Sequence, residues 1–254
     1  MTQELLPVTY VPLLVLLSYA VSAIGAFTAL SAAAAARRPE GQVSRFNIFL
    51  AGLALGGIGI WSMHFVGMIA WKVQLGVGYH LLETMVSLVA AVIVSSLALG
   101  YVAADPRDLK RLLVAGPLAG LGVAVMHYLG MYSMRFGGFF DWNLGIVALS
   151  VLIAMVAATA ALWLAFHTRR RWHRALAALV MASAVCTMHY TGMAAAAVMC
   201  TTSNRYNVAA GLMRPADLWA VVVLIAVSVA CVIALDLLMQ RLTAIGPVAG
   251  APAR

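Results

Sequence analysis

Met63-His64-Phe65-Val66-Gly67-Met68 recurs as Met126-His127-Tyr128-Leu129-Gly130-Met131 and again as Met188-His189-Tyr190-Thr191-Gly192-Met193. The three histidines are 63 and then 62 residues apart. Each copy lies inside an apolar stretch, where an ionisable side chain is costly and marks a functional position by default. Imidazole and thioether are also the neutral side chains that bind soft transition metals. Three copies at one period therefore point to one shared site.

The stretches around the copies are membrane spans. The chain has 254 residues, of which 64% are hydrophobic and 9% charged, and its mean hydropathy is +0.99. Seven apolar runs stand out, at about Val8–Ala34, Phe46–Trp71, Leu81–Ala103, Leu112–Met134, Leu144–His167, Ala175–Met199 and Leu218–Gln240. Each is near the roughly 20 residues that cross a hydrocarbon core about 30 Å thick as a helix. Strand alternation is absent, and in lipid only helices or closed barrels satisfy the backbone. The expected class is an all-α membrane protein of seven transmembrane helices, forming one domain over residues 8–240 with a short cytoplasmic tail at 241–254. The first run follows Glu4 and has no basic leader, so it reads as a retained helix and not a cleaved signal.

Net charge +8 does not call for nucleic acid, because the positive residues are sorted by side. Arg37, Arg38 and Arg45 follow the first run, Arg107, Lys110 and Arg111 the third, Arg169, Arg170, Arg171 and Arg174 the fifth, and Arg241 and Arg254 the seventh. The opposite side holds Lys72, Arg135, Arg205 and Arg214. Lys and Arg collect in cytoplasmic loops, so the N-terminus is expected outside and the C-terminus inside.

The motif period equals one outward-and-back pair of helices. The chain thus reads as three two-helix parallel repeats plus a terminal helix, with the motifs in the second, fourth and sixth spans and an axis near the membrane normal. The histidines follow the cytoplasmic starts of their helices by about 14 to 18 residues. At roughly 1.5 Å per residue, that is about 21–27 Å up, in the outer half of the bilayer. Small residues precede each motif: Gly52, Gly56, Gly57 and Gly59; Gly116, Gly120 and Gly122; Ala178, Ala182 and Ser183. Such residues let helix backbones approach closely in lipid.

At about 100° per residue, His and the last Met of each copy share a helix face, and the aromatic lies about 100° away from the His. His64, His127 and His189 with Met68, Met131 and Met193 are the leading candidate ligands. Met63, Met126 and Met188 come second, and Phe65, Tyr128 and Tyr190 fit better as a surrounding shell. The glycine between them sits where a bulkier residue would block a neighbouring helix. This donor set suits copper: magnesium and calcium want oxygen ligands, zinc sites rarely use methionine, and the CxxCH sequence that attaches haem is absent. His80 and Glu83, at the outer start of the third span, are candidates for a supporting shell. Cys186, Cys200 and Cys231 form no CxxC pair, and Cys186 reads as a packing residue.

The three copies make the chain resemble the bacterial MHYT integral membrane sensor domain, over about Tyr10 to Gln240. That resemblance implies copper held near the outer face by Met, His and Tyr, and the sensing of oxygen, carbon monoxide or nitric oxide. Carried onto this sequence, it covers Met63, His64 and Met68; Met126, His127, Tyr128 and Met131; Met188, His189, Tyr190 and Met193. Phe65 departs from the pattern, so no tyrosinate can come from the first copy. Many relatives continue into a cytoplasmic output domain. Here the seventh run is followed by fourteen residues, which suggests a stand-alone member that signals through a separate cytoplasmic protein. No phosphate loop, nucleophile elbow or paired-carboxylate motif is present, so no enzyme is expected. The expectation is a multi-pass sensor of the bacterial inner membrane that responds to a diatomic gas or to copper, with copper handling or transport as the alternative.

Overall fold

The computed structural model describes residues 4–36, 42–168 and 170–245. Its seven spans are Pro12–Ala35, Arg45–Ala70, Leu81–Ala104, Leu109–Tyr132, Leu144–His167, Arg171–Ala194 and Pro215–Asp236. The last continues as helix to Ile245. Five residues assigned to the tail therefore extend the seventh helix, and the rest of the tail lies outside the described residues, as do Arg37, Arg38, Arg169 and Arg254.

Two apolar runs outlast their helices. Pro12 occupies the first turn of the first span, where its missing N–H costs nothing, and Val8–Tyr10 before it is a strand. The sixth helix stops at Ala194, and Ala196–Cys200 is a strand. Hydropathy could not see either boundary, because a short apolar run reads alike as strand or as the end of a helix.

Among the described residues, seven short strands cap one end of the bundle: β1 Glu4–Leu6, β2 Val8–Tyr10, β3 Trp71–Val73, β4 Gly78–Tyr79, β5 Met134–Arg135, β6 Gly138–Trp142 and β7 Ala196–Cys200. They pair antiparallel as β1-β7-β6, β2-β3 and β4-β5. The register sets Leu5 opposite Met199 and Phe140 opposite Val198. This end carries Lys72, Arg135, Arg205 and Arg214, the side with fewer positive residues. Three of the strands directly follow the motif-bearing spans, so the cap closes over the motif ends of those helices.

The second, fourth and sixth spans form the inside of the bundle, and the first, third and fifth form its rim. Of the most apolar window in each, 89% is buried in the second span, 44% in the fourth and 50% in the sixth, against 33%, 28% and 11% in the first, third and fifth. The second is deepest because the seventh span packs on it through Val229, which shares a core cluster with Ala54 and Ile58.

The second span is also irregular. Arg45–Leu53 and Met63–Ala70 are α-helical, but Ala54–Ser62 between them is a π-helix. Such segments are rare, are usually a single turn long, and favour functional sites. Two hydroxyls bond its carbonyls: Ser62 donates to Gly57 O at 2.8 Å and Ser22 to Gly59 O at 2.8 Å. A Cβ on Gly25 would lie 2.2 Å from Gly59 N, so the first and second spans touch backbone to backbone there. The small residues before the motifs serve contacts of the same kind with rim helices. A Cβ on Gly56 would meet Ala91 O at 2.6 Å, and one on Gly120 would meet Met155 N at 2.5 Å.

Candidate metal centre

The three parallel helices bring one imidazole each to the bundle axis. His64, His127 and His189 are each 1% exposed. Their Nδ1 atoms form a triangle, with His64–His189 at 3.0 Å, His127–His64 at 3.1 Å and His189–His127 at 3.3 Å. The rings meet edge to face, with interplanar angles of 73°, 87° and 88°. The arrangement is nearly threefold.

Hydrogen bonding alone cannot satisfy this triangle. A neutral imidazole has one N–H and one lone pair, so donors and acceptors must alternate around any ring of contacts. A ring of three cannot alternate, and at least one contact sets like against like. A cation removes the conflict if all three lone pairs point inward. The centre of a triangle with these edges is about 1.8 Å from each nitrogen, close to the roughly 2.0 Å of a metal–imidazole bond. The residues fit a metal held through Nδ1.

Each Nε2 points away from the triangle, is buried, and has no hydrogen-bond partner among the described residues. Each lies against the glycine of another copy. A Cβ on Gly130 would be 2.2 Å from His64 Nε2, one on Gly192 would be 2.3 Å from His127 Nε2, and one on Gly67 would be 2.3 Å from His189 Nε2. Each histidine thus occupies the notch left by the next motif's glycine, in one rotational sense around the axis. The helical arithmetic placed this glycine facing a neighbour. What fills the space is the neighbour's imidazole.

Behind the histidines, each aromatic packs edge-on against its own copy's ring: Phe65 on His64, Tyr128 on His127 and Tyr190 on His189, with centroids 4.7–4.8 Å apart. The tyrosine hydroxyls point away to the rim. Tyr128 Oη is 2.6 Å from Ser150 Oγ, and Tyr190 Oη is 2.8 Å from Ser18 Oγ. In the first copy Phe65 has no hydroxyl, and Trp61 Nε1 donates to Ser87 Oγ at 3.0 Å instead. Ser18, Ser87 and Ser150 are each the seventh residue of a rim span. These bonds join the second span to the third, the fourth to the fifth, and the sixth back to the first. The serines escaped the sequence reading, although aligning the odd-numbered runs with one another would have shown them.

All six motif methionines are buried. Met68, Met126, Met131 and Met193 share a core cluster with Trp61 and Phe65, whereas Met188 packs with Ala124 and Ala154. The sulfurs are therefore less equivalent than the sequence suggests. His80 is exposed at the N-cap of the third span, and both Glu83 oxygens accept from Arg135, at 2.7 and 2.8 Å. Neither residue joins the centre. Among the described residues, the triad is the one grouping of three or more His, Cys, Asp or Glu donors with metal-ligating geometry.

Fold and site define a seven-helix membrane protein with three motif-bearing helices around a buried histidine triad. Residues 57–116 and 120–178 match the family model described as MHYT, bacterial signalling protein N terminal repeat; the chain belongs to the MHYT family. Each matched segment contains one motif followed by the serine that its helix contacts, and the third motif falls after the second match. The chain is 39% identical over 193 residues to the bifunctional diguanylate cyclase/cyclic di-GMP phosphodiesterase MucR of Pseudomonas aeruginosa, covering 74% of this chain and 28% of that protein. It is 37% identical over 196 residues to the cyclic di-GMP phosphodiesterase NbdA of the same organism, covering 74% and 24%. The signaling protein YkoW of Bacillus subtilis is 29% identical over 196 residues, again 74% and 24%. The chain thus spans about a quarter of the length of these relatives. No solved structure matches it.

Proposed function

We propose that this chain is the sensing module of a bacterial inner-membrane signalling system, that it holds copper at His64, His127 and His189, and that it responds to a diatomic gas or to copper itself. The observation that carries the reading is the Nδ1 triangle, a buried group of lone pairs that only a cation satisfies together. Copper there would supply a coordination position for a small ligand. The chain's own part is to fix the three imidazoles, exclude water, and surround them with thioethers, which favour a soft ion. A ligand shifts such a bundle only through unequal affinity for two packings. The Tyr128–Ser150, Tyr190–Ser18 and Trp61–Ser87 contacts give that shift a route from each motif helix to a rim helix. The module performs no chemistry of its own and passes its state to a cytoplasmic output protein or domain. Nucleic acid is not a partner, since the basic residues serve topology.

The test is metal content by mass spectrometry on detergent-purified protein, washed with a mild chelator, beside the His64→Ala/His127→Ala/His189→Ala variant. About one copper per chain, lost in the variant, is expected. Zinc in its place would keep the centre and remove copper. No retained metal would refute the centre. Copper handling is the second reading, favoured by the surplus of thioethers, and it predicts copper accumulation in cells that express the chain.

A further inference from the structure

The three residues four positions before the histidines, Ile60, Val123 and Val185, all line one interior cavity. On a helix that offset is about one turn along the same face, so the cavity lies directly beneath the imidazole triangle, on the side away from the strand cap. Its volume is about 50 Å³. Eight alanines contribute to the wall, Met188 lines it as well, and Ser95 is its single polar lining side chain. Water in a cavity needs two to four polar partners, and apolar cavities of about 150 Å³ stay dry and take up benzene or xenon. This smaller one suits a molecule of two heavy atoms.

A cleft adjoins the cavity from the side. Val94, Ala98 and Ala119 belong both to its wall and to a cleft between the third and fourth spans. The rim of that cleft includes Leu97, Tyr101, Val114 and Leu118, which are 48–68% exposed and face lipid in a spanning bundle. On the opposite side of the triad the strands and their aromatic residues cover the motif ends.

We propose that the bundle admits a small apolar molecule of diatomic size from the bilayer, through the cleft between the third and fourth spans, and holds it in the cavity under the histidine triad. Hydrocarbon concentrates such solutes, so the membrane itself supplies the ligand. The inference rests on the sensing reading for what the ligand means to the protein. The cavity and its entrance rest on the lining residues alone.

Two experiments separate these claims. Crystals of the metal-free protein, pressurised with xenon, should show one xenon site among Ile60, Val123 and Val185, and that site should vanish in Ala154→Leu. Absence of xenon there in the wild type, or persistence in the variant, would overturn the cavity. Carbon monoxide rebinding after flash photolysis of the copper-loaded protein should then slow tenfold or more in Ala119→Leu, and likewise in Ala98→Leu, at unchanged copper content. Either variant that retains its fold by thermal unfolding serves. Unchanged rates would overturn the lateral entrance. Xenon binding with no carbon monoxide adduct in the wild type would support the cavity and reject gas sensing.

Discussion

Gly130→Ala should remove the metal without unfolding the protein. The added Cβ would sit 2.2 Å from His64 Nε2 and 2.9 Å from its Cδ2. Ordinary van der Waals contact begins near 3.4 Å, so the imidazole must retreat by about 1 Å, whereas ligand distances in a metal site hold to within roughly 0.2 Å. Pushed from its Nε2 side, His64 would lose its position in the triangle, and its contacts of 3.0 and 3.1 Å with the other two rings would be disturbed. Overpacking a core costs about 1–3 kcal/mol, and alanine's helix preference over glycine returns about 0.8–1.0 kcal/mol. The net loss is small enough for the bundle to survive. Disturbing a residue that only supports a ligand already costs 10–100-fold in affinity, so displacing a ligand should cost on the order of 100-fold or more. The assay is a copper competition titration against chelators of graded affinity, with thermal unfolding of the metal-free protein alongside. Gly100→Ala is the control, because its Cβ meets Ile48 Cγ2 at 3.4 Å, an ordinary contact. Wild-type affinity in Gly130→Ala would refute the interlock, and equal losses in both variants would reduce it to general packing. Gly67→Ala and Gly192→Ala should repeat the Gly130→Ala result through His189 and His127.

Other perturbations test the surrounding shell. Tyr128→Phe and Tyr190→Phe should each lower stability by about 0.5–1.5 kcal/mol, with copper content unchanged, because the serines keep their bonds to Val147 O and Val15 O; loss of metal would make the tyrosines ligands. Phe65→Tyr should destabilise by about 1–3 kcal/mol, since Phe65 is 0% exposed and Ser87 already accepts from Trp61; a neutral result in thermal unfolding would contradict that packing. Glu83→Gln should change stability by no more than about 0.2–1 kcal/mol, as expected for a partly exposed ion pair, and leave metal retention intact; a fall in retained copper would restore Glu83 to the supporting shell. Burial in the strand cap holds the Tyr79 hydroxyl above the ordinary tyrosine range. A raised folded pKa means the folded state keeps protons that the unfolded state has lost. The resulting stability is therefore present below about pH 10 and declines as pH rises beyond it. Unfolding curves from pH 8 to 11.5 should show the decline, and Tyr79→Phe should flatten it.

Much of this molecule was legible in the chain. Seven apolar runs set the number of spans because the bilayer permits little else, and charge sorting set their alternation. Three copies at one period placed three histidines at one depth on parallel helices, which is why the triad is legible in the sequence. Helical spacing also put His apart from Tyr, and the hydroxyls of Tyr128 and Tyr190 do turn to the rim. What stayed hidden depends on partners distant in sequence. Nothing in Val8–Tyr10 or Ala196–Cys200 distinguishes an apolar strand from the end of an apolar helix; the choice falls to Trp71–Val73 and Gly138–Trp142, which pair with them. The π-helical segment Ala54–Ser62 is met at Gly59 by the Ser22 hydroxyl of another helix. The notch at Gly130 matters because His64 arrives there from another helix. Sequence by itself determined which side chains enter the membrane and how deep, since burial in lipid acts on each residue's own chemistry. Only tertiary structure decided which atoms of those side chains meet, because angstrom-scale contact is set by the rotation of one helix against the next.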